Sequence, residues 1–288
     1  MAVETSVSTP APSGWATLAE RGRRIQRFAH SRPMAFGLPV LSLAVFFVVW
    51  QIIGAHVNPI LLTTPTKVAQ AFWDLLKTGQ LAPAFGSAMR DLAIGYGLAV
   101  VVGIVAGMAL GRSRVLERLF NPYINFFQAT PLIALVPLVV IWFGVGLEAR
   151  AAVTFMLAVW SIIINTTTGV KETSTALLDV GRIYKYNRLQ VIFHIQLPNA
   201  VPSIFAGLRI ALGKALIGVM IAQMEISVTG LGGIVINYGN AFKTAYLLAG
   251  VVTASFVGVI AAMALELIRK KVFPWTEQQD AGGWQTAI

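Results

Sequence analysis

The chain has 288 residues, 56% of them hydrophobic and 12% charged, with a mean hydropathy of +0.72; soluble domains carry roughly 25% charged residues, so a polytopic membrane protein is indicated. Cysteine is absent and His30, His56 and His194 share no helical spacing, which removes thiolate, disulfide and zinc chemistry. The formal charge of +10 gathers at the ends of apolar runs, a pattern of membrane orientation and not of nucleic-acid binding.

Residues 1–35 read as an N-terminal tail too polar to fold, leading into Arg21, Arg23, Arg24, Arg27 and Arg32. A cleavable signal peptide does not fit, because the following apolar run is too long and no small-x-small site closes it. Runs of about twenty apolar residues predict six transmembrane helices, at about 37–55, 91–111, 122–144, 150–168, 200–225 and 245–268. The fold class is therefore all-α. Between the first two runs, apolar residues at 68, 69, 72, 75 and 76 predict an amphipathic helix on the membrane surface, with a substrate lid as the other reading. The second run carries Gly95, Ala99, Gly103, Gly107 and Gly111, a small-residue stripe along which a helix of the same chain is expected to pack. Pro131 and Pro137 break the third run, giving a packing kink or a bend that lines a pathway. The Gly-rich segment 226–244 reads as a short re-entrant or surface loop, and 273–288 as a second tail.

Fifteen of the 22 Lys and Arg residues fall on the side of both termini, five on the other. The richer side is cytoplasmic. That side also holds the long loop 170–199, between the fourth and fifth runs. Loops joining neighbouring elements are usually a few residues long, so this one is expected to do work. A helix is predicted over Thr175–Tyr184, with Leu177, Leu178 and Ile183 near one face, and a second over Arg188–Gln196 offering Leu189, Ile192, Phe193 and Ile195. Lys185, Tyr186 and Asn187 must reverse the chain between them, and Pro198 and Pro202 open the fifth span. Such a pair either slots into a groove on a soluble partner or rests on lipid headgroups.

Asp179, sixteen positions before Ile195, followed by Ile195-Gln196-Leu197-Pro198, resembles the cytoplasmic coupling loop of binding-protein-dependent ABC importer permeases. Members of that family carry Glu-Ala-Ala, three variable residues, glycine, nine variable residues and Ile-x-Leu-Pro. Here Asp179, Val180 and Gly181 occupy the first three positions and Lys185 replaces the glycine. A left-handed backbone at a lysine costs roughly 1–2 kcal/mol, and Asn187 tolerates it better. Tyr184, Arg188, Gln190, Val191 and His194, the run Gly207–Ala215, Trp142-Phe143-Gly144 and Gly230-Leu231-Gly232 are similar to the nitrate/sulfonate/taurine (bicarbonate) branch. The resemblance covers about residues 45 to 272.

It implies a permease domain over 36–272 whose coupling residues are Asp179, Val180, Gly181, Lys185, Leu189, Ile192, Ile195, Leu197 and Pro198. It also implies cytoplasmic ABC ATPase subunits that bind ATP and Mg, a second permease subunit, expected to be an identical copy, and a periplasmic substrate-binding protein. The location would be the bacterial inner membrane, both termini cytoplasmic. The chain itself would be non-catalytic and without cofactor; it has no Gly-x-x-x-x-Gly-Lys-Ser/Thr sequence. An ATP-independent secondary transporter or channel is the competing class, yet Asp91, Glu225 and Glu266 lie toward span ends and form no acidic relay. A membrane enzyme would need a triad or His cluster that is missing.

Arg209 and Lys214 fall inside the fifth run, where cations are costly and usually functional. Lys214 and Glu225 share a helical face about 16 Å apart. Path candidates are Lys214, Arg209, Gln223, Glu225 and Asn165, with Gln223 standing where the branch often has Glu. Lys214 either attracts an anion or is a structural cation satisfied by carbonyls or Asn165.

Overall fold

The computed structural model describes residues 32–273, with side chains from Gly37 onward. Most of the two expected tails, with Arg21 to Arg27, lies outside the described residues. All regular secondary structure among the described residues is helical. The chain divides after Thr66 into two units. In the first, helix α1 (Arg32–His56) is followed by an irregular return. A Cβ on Gly54 would lie 2.8 Å from the Thr63 carbonyl oxygen, and Trp50 Nε1 donates to that same oxygen at 2.9 Å. The glycine thus lets the return lie flat on the last turns of α1.

At the division, α2 (Pro65–Lys77) buries Val68, Ala71 and Leu75. This stripe departs from the predicted one: Ala69 and Leu76 are exposed, while Ala71 is inside. Asp74 accepts a hydrogen bond from the Tyr246 hydroxyl at 3.3 Å, so this helix is tied to the protein.

The second unit continues with α3 (Leu81–Arg112), α4 (Arg114–Ala129), a 3-10 turn (Leu132–Leu135), α5 (Val136–Phe143) and α6 (Leu147–Lys171). Then come α7 (Thr175–Ile183), α8 (Arg188–Val191), a π-helical turn (Ile192–Gln196), α9 (Leu197–Glu225), α10 (Gly230–Asn240) and α11 (Thr244–Val272). Five segments are long and apolar enough to span a membrane, and the bent α4–α5 pair makes a sixth if taken as one span.

Helix α6 is the centre, packed most extensively on α3 and α9. A Cβ on Gly95, Gly103, Gly107 or Gly111 would lie 2.5–2.7 Å from Thr154, Ile162, Thr166 or Val170 respectively. The small stripe is thus an intrachain seam, as expected. The partners ascend together, so α3 and α6 are parallel. The chain between them must travel back the length of both, and α4 and α5 make that return through a 92° bend. The bend has a local cause: α4 closes where Thr130 turns its amide and hydroxyl onto the Phe126 carbonyl, at 3.0 and 2.8 Å. Pro137 then stands in the first turn of α5, where its missing N–H costs nothing. Pro137 begins a helix instead of kinking one.

Glycines also seat α9. Gly169 meets Ser203, Gly207 meets Asn165 and Gly218 meets Thr154, partners that descend as α6 ascends, so α9 is antiparallel to α6. Lipid gives helices no hydrophobic drive to associate, and close packing at small residues takes its place. These directions gather Arg112, Lys171 and the α7–α8 pair at one end of the unit, and Arg150 at the other.

The segment 226–244 is mostly helix, not loop. Helix α10 packs on α11 and contacts α9 and α3. Left-handed residues mark its ends: Val228 ahead of it and Gly230 at its first position (φ +45° and +63°), and Phe242 after it (φ +57°). The glycines of this segment admit close neighbours: a Cβ on Gly232 would lie 2.6 Å from Gln223 Cβ.

Candidate coupling surface and membrane path

Ser174 caps α7 by accepting from the Leu177 amide at 3.3 Å. The helix turns its small face inward: Gly181 is buried, and a Cβ there would lie 2.7 Å from Ile195 Cδ1. Leu178 is half-buried beside it, whereas Leu177, Val180 and Ile183 point out, Ile183 with 78% of its surface exposed. The predicted grouping of Leu177, Leu178 and Ile183 is therefore split between two faces. Asp179 is exposed and paired with Arg182 at 2.7 Å, one turn on.

The reversal falls at the family's glycine position and does not shift to Asn187. Lys185 adopts φ +53°. Its amide bonds the Arg182 carbonyl at 3.0 Å and the Tyr186 amide the Gly181 carbonyl at 2.9 Å, the paired bonds of a Schellman ending. Asn187 is not the left-handed residue because it is committed elsewhere. It caps α8 in a capping box, exchanging 2.8 Å hydrogen bonds with Gln190.

Helix α8 does not stop before the fifth span. Pro198 has no N–H and would crowd the carbonyl four residues back. The backbone widens ahead of it: the Leu197 amide bonds the Ile192 carbonyl, five residues back, and His194 Nδ1 lies 3.1 Å from the Gln190 carbonyl oxygen. Arg188–Glu225 is in consequence one 38-residue helical run. Leu189 and Phe193 project from its start, 64% and 61% exposed, while Ile192, Ile195, Leu197 and Pro198 are half-buried. The contact of Gly181 with Ile195 joins α7 to the π turn, which is continuous with α9.

The path candidates divide by face. Lys214 is half-buried midway along α9 and has no hydrogen-bond or ion-pair partner among the described residues. Asn165 Nδ2 donates to the Ser161 carbonyl at 2.8 Å, and Asn165 makes no hydrogen bond with Lys214. Glu225 is exposed on the same helical face as Lys214. Gln223, about 180° round the helix from Lys214, is fully buried. Its amide donates to Asp91 Oδ2 at 2.8 Å and its oxygen accepts from the Gly232 amide at 3.2 Å. Gln223 is thus a clasp inside the fold. Arg209, about 140° from Lys214, faces Glu266 at 3.5 Å instead.

A model of the family described as "binding-protein-dependent transport system inner membrane component" matches residues 99–275. The chain belongs to this family. It is 27% identical to the putative aliphatic sulfonates transport permease SsuC of Bacillus subtilis, over 81% of this chain and 85% of that protein. Identity is 31% to the nitrate import permease NrtB of Synechococcus elongatus, over 70% and 76%, and 27% to the taurine permease TauC of Escherichia coli, over 83% and 89%. Among solved structures, the MetNI methionine ABC transporter in an inward-facing form shares the fold, with TM-score 0.55, 18% identity, and coverage of 67% of this chain and 97% of that one.

The protein is thus a membrane-spanning permease subunit of an ABC importer, with ATPase and binding-protein partners; ATP is bound by the ATPase. One feature of this permease escaped sequence reasoning. Asp91 is fully buried and accepts from Arg150 Nε at 2.9 Å as well as from Gln223; Arg150 also donates to Ser227 at 2.9 Å. The clasp joins α3, α6, α9 and the lead-in to α10. The sequence offered only half of the signal: Asp91 stands one turn before Gly95 of the stripe, but the pairing of Gly95 with Thr154, one turn after Arg150, emerges only in the structure.

Proposed function

We propose that this permease docks its α7–α8 pair into a cytoplasmic ATPase, pairs with a second copy of itself, and passes a small anionic or zwitterionic solute of the nitrate, sulfonate or taurine kind. The observation that carries this reading is the union of an exposed apolar surface with an unbroken helical run from that surface into the membrane domain. ATP-driven closure of two ATPases would bring two such pairs together and open the bundle toward the periplasm, where a loaded binding protein releases its solute. Hydrolysis would reset it inward. The coupling set is Asp179, Val180, Gly181, Lys185, Leu189, Ile192, Ile195, Leu197 and Pro198. Within it, Val180 and Leu189 offer apolar contact, Gly181 and Ile195 carry the load, and Lys185 sets the turn.

The orientation follows from charge: the end that holds α7–α8 also holds Arg112, Lys171 and Arg269–Lys271 and is assigned to the cytoplasm. Residues 1–35 and 273–288 would then be cytoplasmic tails of a permease domain over 36–272. The nitrate, sulfonate and taurine relatives support the solute class, as does Lys214 on α9, without a partner among the described residues, since a cation at such depth is costly without an anion. Glu225 and Asn165 are its companions on the path.

The test is a double substitution, Leu189→Asp with Phe193→Asp. Both side chains are largely exposed, so membrane insertion and yield should hold while the ATPase no longer co-purifies. Retention of the ATPase would refute docking at this surface. For the path, Lys214→Met should lower uptake of the anion bound by the cognate binding protein, and normal uptake would remove Lys214 from it.

A further inference from the structure

A groove of about 220 Å³ opens between α9 and α11, with Phe205, Leu212 and Leu265 on its walls and Arg209, Glu266 and Arg269 at its polar edge. We infer that it seats the headgroup of an acidic phospholipid from the cytoplasmic leaflet. The inference rests on the orientation proposed above.

The charges are arranged to leave one guanidinium to spare. Arg269 takes Glu266 with both Nε and Nη2, at 3.1–3.2 and 2.7 Å. Arg209 approaches the same carboxylate only at 3.5 Å, and its side chain is 76% exposed. A guanidinium has five N–H donors in a planar fork that matches phosphate oxygens. Glu266 therefore neutralises Arg269 and orients Arg209 without satisfying it. Lys270 and Lys271 are exposed just beyond Arg269 on α11, so this end of the helix is rich in basic side chains. Basic pockets between transmembrane helices at the cytoplasmic side suit anionic headgroups, and the apolar walls suit the glycerol and first methylenes of a lipid better than a hydrated inorganic ion. Arg209 lies twelve residues into α9, about 18 Å along the axis from Leu197. Its level is set by Glu266 and Arg269, within the last two turns of α11.

The experiment uses the complete transporter in nanodiscs of phosphatidylcholine, with and without phosphatidylglycerol. Native mass spectrometry counts retained phosphatidylglycerol, and the unfolding temperature is followed in parallel. Arg209→Gln should lower retention about fivefold, the scale of one basic residue at an anionic surface. Glu266→Gln, which removes the carboxylate that competes with a phosphate for Arg209, should raise it. A purely structural ion pair predicts that both variants melt earlier and that neither changes retention. That result overturns the inference, as does a wild-type shift reproduced by inorganic phosphate alone, which would mark a free-anion site. Because the chain has no cysteine, Lys270→Cys gives a single label, and its accessibility from the cytoplasmic side tests the orientation separately.

Discussion

The seams of α6 and the surface of the α7–α8 pair are built from opposite materials. Along α6, glycines on α3 and α9 bring helices so close that an added Cβ would fall 2.5–3.0 Å from a neighbour, and the residues they meet are mostly buried. In the pair, the close contact of Gly181 with Ile195 joins two pieces that leave the apolar side chains Leu177, Val180, Ile183, Leu189 and Phe193 in the open. The seam satisfies itself within one chain. The pair leaves its apolar surface for a partner. Damage should accordingly appear as lost stability in the first region and as lost coupling in the second.

The largest effect is expected where the seam ends in a buried charge. Asp91→Ala strands Arg150, whose side chain is 15% exposed, and breaking a buried pair on one side costs about 3 kcal/mol or more. The protein should lose most of its monodisperse yield in detergent, and an unchanged unfolding temperature would show the clasp to be incidental. Next comes a matched pair of glycines. Gly107→Ala places a methyl 2.5 Å from Thr166 Cβ, whereas Gly213→Ala meets nothing within 4 Å. Overpacking typically costs about 1–3 kcal/mol, while an unobstructed Gly→Ala in a helix gains roughly 0.5–1 kcal/mol. The two variants should move the unfolding temperature in opposite directions; equal shifts would deny the seam its role.

In the coupling region Ile195→Ala is the sharper probe, because it leaves the exposed surface intact. It removes the atom that touches Gly181, at a cost of about 1 kcal/mol for a half-buried side chain. The ATPase should remain bound, but loaded binding protein should no longer stimulate ATP hydrolysis to the wild-type level. Full stimulation would mean that the load travels by another route.

Much of this contrast was legible in the chain. The small stripe from Gly95 to Gly111 signalled a seam because period-four glycine in an apolar run has few other physical uses. The loop was legible from its length and polarity. The direction of α6 relative to α3 was not, since a stripe names a face without its partner or sense. Proline was over-read: Pro137 looked like a kink, but proline in a first helical turn is neutral, and only the ending at Thr130 decides between the two. The α8–α9 continuity was hidden for the opposite reason. Pro198 ordinarily argues for a helix start, and a π turn evades that rule by shifting its bonds one residue back. Gln223 and Lys214, nine residues apart, were grouped by chemistry when helical rotation separates them.

Lys185 carries the smallest and most specific prediction. The family's glycine position is occupied by a residue that pays for the left-handed turn, since the Arg182 and Gly181 carbonyls need the Lys185 and Tyr186 amides to close the end of α7. Lys185→Gly removes a steric cost of roughly 1–2 kcal/mol but returns part of it through the freer unfolded chain, about 0.5–1 kcal/mol. A net gain below about 1 kcal/mol is expected, with ATPase binding unchanged, because the lysine side chain is exposed and forms no bond to another described side chain. Asn187→Gly at the same time should be slightly destabilising, since it breaks the capping box, at roughly a few tenths of a kcal/mol. If Lys185→Gly lowers the unfolding temperature while Asn187→Gly does not, the turn has moved to Asn187 and the two halves of the pair meet at a different angle from the one seen here.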